Sequence, residues 1–242
     1  MTPSIPQLRA RGFRGLRVVG DVHGEAKALE AAIIGGCDED LFIIQLGDLT
    51  DYGPDSPGVL RAAFAMLDAE AGLFLLGNHD HKLRRALVGA RVRSPAEATP
   101  RTLEQLREAP DGEWLSQRAV EAIAKAPAWL RLGNRIFVHA AFHPAMLFDA
   151  APRDTGTRRP DGIASRALFG QVTGRTQGDG YPERLLHWVD SIPPGITVFC
   201  GHDQRSTDGR PWRTHGRLGG EAVFVDTGSG KGGHLSWVDL EF

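Results

Sequence analysis

The sequence predicts an α/β fold in which a parallel sheet is covered by helices, and three observations carry that expectation. Short apolar runs ending in glycine or a polar residue recur along the chain, segments of helical spacing separate the first three, and acids and histidines cluster directly after the runs. Leu16 to Gly20, Leu41 to Gly47 and Gly72 to Gly77 read as buried strands, because strands covered on both faces are almost continuously apolar. Between them, Glu25 to Ile34 and Pro57 to Ala71 place alanine and leucine at helical intervals, which makes a β-α-β-α-β unit. Arg84 to Leu132 is helical in character: Thr99-Pro100 offers a cap and a first-turn proline, and Asp111 begins a segment through Trp114, Leu115, Val120 and Ile123. Arg135 to Ala140 and Ile196 to Gly201 are two further strands. The stretch from Phe148 to Asp190, rich in Gly, Pro, Arg and Asp, reads as a long loop region of the kind that carries function. Glu221 to Asp226 and His234 to Leu240 read as closing strands joined by a turn at Gly228 to Gly233.

Composition narrows the class. A chain of 242 residues fits one domain, 1–242, with residues 1–15 as an arm. It is 41% hydrophobic and 24% charged, and its 30 glycines exceed a usual ~7% without any periodic repeat, which excludes disorder and collagen-like structure. A net charge of −2 argues against holding nucleic acid or anionic lipid through a global positive field, although a local basic groove stays open. With only Cys37 and Cys200, neither a disulfide framework nor a four-thiolate zinc site can be built, so the reducing cytoplasm is the expected compartment. No apolar run approaches the ~18 residues of a membrane span, and a soluble protein is expected. Only Lys27, Lys82, Lys125 and Lys231 are lysines, a skew read as codon bias rather than function.

The strand ends carry the chemistry. Gly20-Asp21-Val22-His23-Gly24, Gly47-Asp48-Leu49-Thr50-Asp51-Tyr52-Gly53, Gly77-Asn78-His79-Asp80, Val138-His139-Ala140 and Gly201-His202-Asp203 each follow a predicted strand, at the carboxyl edge where open α/β sheets place ligands. Any one of these clusters is ordinary turn or cap chemistry. Together, Asp21, His23, Asp48, Asn78, His139 and His202 form an oxygen and imidazole donor set suited to Mn²⁺, Fe or Zn²⁺. Six donors exceed the needs of one catalytic cation with an open position, but suit two divalent ions sharing a carboxylate. A water held by such a pair is acidic enough to attack phosphorus near neutral pH.

These motifs, in this order and spacing from Leu16 to Leu240, resemble the calcineurin-like metallophosphoesterases of the phosphoprotein-phosphatase branch. Gly77-Asn78-His79-Asp80-His81-Lys82-Leu83, Thr173-Gly174-Arg175, Tyr181-Pro182-Glu183-Arg184 and Asp226-Thr227-Gly228 with Gly232-Gly233 are most similar to the phosphatase module of bacterial polynucleotide kinase-phosphatases. Bacterial diadenosine tetraphosphatases and small bacterial protein phosphatases follow closely. The resemblance implies a four-layered sandwich of two mixed sheets flanked by helices. It also implies Asp21 and His23 on a first metal, Asp48 bridging, and Asn78, His139 and His202 on a second. His79 matches the family histidine that protonates the leaving group, and Asp51 the acid that orients it.

One position departs from the family pattern: arginine is usual after the second aspartate, and here Tyr52 stands there. A guanidinium fork on phosphate is thereby exchanged for a phenol. Either an arginine enters from the Phe148 to Asp190 region, with Arg166, Arg175 and Arg184 as candidates, or the substrate needs less charge neutralisation, or catalysis is weaker. The expected activity is hydrolysis of a phosphomonoester on a phosphoprotein or on a nucleotide or polynucleotide end, with Mn²⁺ as the favoured metal. A dinucleoside polyphosphate or phosphodiester is the alternative substrate. A metal-binding module that recognises phosphorylated partners without turnover is the alternative of another class. His81, His143, His187, His215 and His234 read as surface or supporting residues, and Trp212 beside Arg210 and Arg213 as a core or loop anchor.

Overall fold

The computed structural model describes residues 3–92, 97–176, 178 and 182–242. The chain opens with helix α1 (Ile5–Ala10), where Ser4 and Gln7 form a reciprocal cap and Leu8 is fully buried, so the N-terminal arm carries regular structure. Strand β1 (Gly15–Val19), helix α2 (Ala26–Asp38), strand β2 (Leu41–Gln45), helix α3 (Ser56–Asp68) and strand β3 (Gly72–Phe74) form the expected β-α-β-α-β unit with parallel strands. Helix α2 runs past Ile34 because Gly35 and Gly36 let it lie close on the sheet; a Cβ on Gly36 would stand 2.4 Å from Ile43 Cδ1.

Helix α4 (Asn78–Leu87) starts inside the third motif, directly past the strand end, because Asp80 accepts the Gly77 N–H at 2.9 Å and closes the first turn. Helices α5 (Ala98–Glu108) and α6 (Gly112–Lys125) follow. The end of the expected helical region is instead strand β4 (Trp129–Leu132), folded onto strand β5 (Arg135–Val138) by a two-residue Gly133-Asn134 turn. The expected loop region holds helix α7 (Gly162–Phe169) and a hairpin of strands β6 (Val172–Thr176) and β7 (Pro182–Arg184). Gln177 and residues 179–181 of its glycine-rich stretch lie outside the described residues, as do residues 93–96.

Strands β8 (Thr197–Cys200), β9 (Trp212–His215), β10 (Glu221–Phe224) and β11 (Trp237–Glu241) complete two mixed sheets, ordered β11-β1-β2-β3 and β4-β5-β8-β10-β9. The two closing strands do not pair as a hairpin. β10 lies in the second sheet and β11 runs antiparallel to β1 in the first, so the glycine-rich segment between them crosses from one sheet to the other. Alternation along each strand builds the layers. Leu16, Val18, Phe42, Ile44 and Leu46 meet Leu130, Phe137, Phe199 and Val223 between the sheets, with Phe137 stacked on Phe199 at 5.4 Å. Val19 and Ile43 instead join Leu29, Val59 and Ala63 from α2 and α3, and Val198, Ala222 and Phe224 join Met146, Leu168 and Trp188. The expected architecture of two mixed sheets flanked by helices is therefore borne out. Among the described residues, no helix is long and apolar enough to cross a membrane.

Candidate active site

The carboxyl ends of the parallel strands from both sheets deliver the six predicted donors to one place. Asp21 and His23 follow β1, Asp48 follows β2, Asn78 opens α4 after β3, His139 follows β5 and His202 follows β8. The chain turns sharply at these ends. His23, Asp48, Asp51, Tyr52 and His202 all adopt positive φ, between 46° and 75°, a conformation that costs free energy in any residue with a side chain. Interlocking loops hold that strain: His23 N donates to Asp48 O at 3.0 Å, and Gly53 N donates back to His23 O at 2.9 Å. Gly47, itself at φ +99°, faces Gly77 so closely that a Cβ would lie 2.6 Å from the Gly77 nitrogen.

Two buried side chains that the sequence reading did not single out fix these loops. Asp80 accepts the backbone N–H groups of Asp48 (2.8 Å), Leu49 (3.0 Å) and Gly77 (2.9 Å). Burial, followed by repulsion from Asp48, pushes its carboxyl up to about 7. Gln45 donates to Gly20 O (3.1 Å) and Gly47 O (2.7 Å) and accepts from Gly47 N (2.9 Å), tying the ends of β1 and β2 together. A glutamine ending an apolar strand and an acid in the first turn of a helix were the available signals, since a buried amide or carboxylate needs partners.

Around Asp48 the acceptors outnumber the protons. His79 N donates to Asp48 Oδ1 at 2.8 Å, leaving Oδ2 facing His23 Nε2 at 3.8 Å and His139 Nε2 at 3.5 Å. His23 Nδ1 lies 3.0 Å from Thr50 O and His139 Nδ1 lies 2.9 Å from Leu46 O. A carbonyl only accepts, so each Nδ1 carries the proton and each neutral ring turns a lone pair inward at Nε2. His139 Nε2 then faces Asn78 Oδ1 at 3.0 Å and His202 Nδ1 at 3.2 Å, while the buried His23 Nε2 has no hydrogen-bond partner among the described residues. One proton on His202 could relieve a single approach; cations relieve all of them. Electrostatics point the same way. Burial drives the His23 imidazole down to about 3 and lowers His139 and His202, so the rings are neutral. Burial, with repulsion from Asp226 and Asp48, raises Asp21. The donors fall into two sets, Asp21, His23 and Asp48, and Asp48, His139 and His202, which share Asp48 and lie close enough for each set to hold a metal ion.

Beside this cradle His79 is locked to Asp51, with Nδ1 2.5 Å from Oδ2. Thr102 Oγ1 donates to Asp51 Oδ1 (2.8 Å) and Thr99 Oγ1 to Oδ2 (3.0 Å), while Lys82 Nζ approaches Oδ2 at 3.0 Å. Burial works against the Asp51 charge, yet the hydrogen bond to His79 and the Lys82 ammonium hold its carboxyl at about 2. With Nδ1 turned to Asp51 and, at 2.9 Å, to Lys82 Nζ, His79 presents Nε2 to the cradle, 4.0 Å from Asp48 Oδ2.

The expected substrate-binding residues divide. Tyr52 sits at the site, its ring 4.9 Å from His23 and 5.3 Å from His79 between centroids. Arg184 reaches the site's edge, with Nη1 2.6 Å from the His202 carbonyl and 3.9 Å from Asp203. Arg166 lies in the last turn of α7, close enough for its charge to depress the His143 imidazole after burial has done so, and Arg175 stands exposed on β6. Trp212 is half-exposed against Phe224, with Arg205 over its ring. Lys82, 3.0 Å from Asp51, and Lys231, over the Tyr52 ring, also stand here, and no motif pointed to them as site residues.

This fold and donor set define a metal-dependent phosphoester hydrolase. The chain belongs to the calcineurin-like phosphoesterase family, whose model matches residues 16–205. It is 27% identical over 235 residues to the asymmetrical bis(5'-nucleosyl)-tetraphosphatase PrpE of Bacillus subtilis, covering 90% of this chain and 88% of that protein. The PrpE protein of Bacillus velezensis is 28% identical over 202 residues, 82% of this chain and 74% of that one. A crystal structure of a candidate diadenosine tetraphosphatase superposes with a TM-score of 0.55 at 23% identity, over 95% of this chain and 94% of that one. A protein serine/threonine phosphatase from Saccharomyces cerevisiae superposes at 0.54 with 12% identity, over 95% and 80%. The last two likenesses are of fold.

Proposed function

We propose that this chain hydrolyses bis(5'-nucleosyl) polyphosphates asymmetrically, adding water across one phosphoanhydride of a tetraphosphate to leave a nucleoside triphosphate and a nucleoside monophosphate. One observation carries the chemistry: Asp48 Oδ2 is common to two sets of inward lone pairs, with the His79 Nε2 edge beside it. The tetraphosphatase relatives, which align with most of the chain, support the substrate class. The Tyr52 position agrees with it, since an internal phosphoryl group of a dinucleoside polyphosphate carries one negative charge where a phosphomonoester carries two, and asks for less charge neutralisation. The phosphomonoester reading and the likeness to the polynucleotide kinase-phosphatase module rest on motifs alone.

In this reading Asp21 and His23 would hold one cation and Asn78, His139 and His202 the other, with Asp48 available to both. When bound, two divalent ions would supply Lewis acidity and acidify a water; oxygen and imidazole donors favour Mn²⁺. The rest falls to side chains. Thr50 O and Leu46 O fix the His23 and His139 tautomers so that lone pairs, not protons, face inward. Asp51 orients His79, which gives its Nε2 proton to the departing oxygen.

The test is a comparison of kcat/KM for diadenosine tetraphosphate, a phosphopeptide and 3'- and 5'-phosphorylated oligonucleotides on Mn²⁺-loaded protein, with nucleotide products separated by chromatography. The proposal predicts ATP and AMP in equal amounts and at least tenfold preference for the tetraphosphate. Preference for a phosphomonoester by the same margin returns the function to that class, and no turnover of any substrate points to the non-catalytic module.

A further inference from the structure

The segment that crosses from β10 to β11 runs over the cradle, and its own chemistry clamps it there. Gly228 N donates to Asp226 Oδ1 at 2.9 Å, Lys231 N and Gly233 N both donate to Gly228 O (3.0 and 2.9 Å), and Ser229 Oγ donates to Val22 O at 2.8 Å. Gly230, at φ +71°, lies against the backbone of His23, where a Cβ would stand 2.4 Å from the His23 carbonyl oxygen. The following residue, Lys231, is thus held by a fixed anchor beside a proposed metal-binding residue. Its ammonium lies over the Tyr52 ring, 4.7 Å from the centroid, and makes no hydrogen bond or ion pair among the described residues. Its charge is felt inside the cradle, where it lowers the Asp21, Asp226 and His23 pKa values against or beside burial.

Tyr52 occupies the position at which the family carries its phosphate-binding arginine, and the residue resting on that tyrosine is a cation from the far end of the sequence. Exposed cation–π contacts are weak, so the ammonium can leave the ring face for a phosphate oxygen at little cost. In a chain whose basic residues are almost all arginine, Lys82 and Lys231 are two of only four lysines, and both stand at this site. A compact ammonium on a flexible stem gives a point contact to one oxygen rather than a bidentate grip.

We propose that Lys231 and Tyr52 together form the oxyanion subsite on the Asp21 and His23 side of the cradle, with Lys231 binding a non-bridging oxygen of the reacting phosphoryl group. The inference rests on the proposed function only in that the substrate carries a phosphoryl group at the metals. Arg184, on the His202 side, leaves that edge to be served by Lys231. No bond is made or broken by the lysine, which supplies charge alone.

The experiment is calorimetric titration of inorganic phosphate into Mn²⁺-loaded protein, alongside metal content by mass spectrometry. Lys231→Met, which keeps the stem and loses the charge, should weaken phosphate binding about tenfold to a hundredfold with metal content unchanged. Lys231→Arg should bind within threefold of wild type. Adding Tyr52→Arg to Lys231→Met should recover most of the loss, a rescue that a purely structural role for the loop would not produce. Phosphate binding by Lys231→Met within threefold of wild type, loss of metal in that variant, or no phosphate binding to the wild type would each overturn the proposal. Should the wild type fail to cleave tetraphosphate while Lys231→Met still loses phosphate, the proposed function falls and the subsite stands.

Discussion

At the strand ends, Asp21, His23, Asp48 and His139 are buried, and each is held by backbone from a neighbouring loop: His202 N–H on Asp21, Thr50 O on His23, His79 N–H on Asp48, Leu46 O on His139. Across the mouth, α7 and the β6–β7 hairpin present Arg166, Arg175 and Arg184, of which only Arg184 touches the motif loops. The cradle is thus held by crossed hydrogen bonds that lock its strained φ angles, whereas the β6 strand of the rim is exposed along its whole length. Such a division suits a site in which metal geometry must not vary while substrate contacts can.

The largest effect should come from breaking the shared donor. Asp48→Asn removes the charge common to both donor sets, and we expect loss of at least one metal per chain together with a fall of more than about 10³-fold in turnover; metal analysis beside kinetics checks the pairing of the two losses. His79→Ala should lower kcat by about 10²- to 10⁴-fold with metal content retained. Were both metals lost in that variant, His79 would be part of the cradle and not the proton donor. Asp80→Asn sharpens the contrast from the structural side. Replacing an acceptor of three backbone N–H groups by an amide that offers only one oxygen should cost about 1–3 kcal/mol, a drop of several degrees in Tm by calorimetry. Arg175→Ala, at an exposed rim position, should change Tm and kcat/KM by less than about twofold or a degree; a loss comparable to that of Asp48→Asn would show the hairpin closing onto the site.

The same division explains what could be read in the sequence. Strand-end motifs were legible because buried parallel strands leave long apolar runs and polar residues just beyond them stand out, so Asp21, His23, Asp48, Asn78, His139, His202, His79 and Asp51 could be picked out, and the structure brings their side chains together. The rim was not legible: the β6–β7 hairpin buries no apolar residue among its described residues, α7 is only eight residues long, and the Gly, Pro and Arg content of the stretch reads as loop. Asp80 was passed over as the tail of a motif, although a fully buried acid at a helix start implies amide partners. Lys231 could not be assigned because its place depends on β10 and β11 belonging to different sheets. Strand pairing of that kind is set by long-range topology, and the glycine-rich segment looked like a local turn.

Anomalous diffraction from crystals grown with Mn²⁺ tests the cradle most directly. The account predicts two peaks on either side of Asp48 Oδ2, one bounded by Asp21 and His23 and the other by Asn78, His139 and His202. A single peak, or a second peak bound away from these side chains, would contradict it.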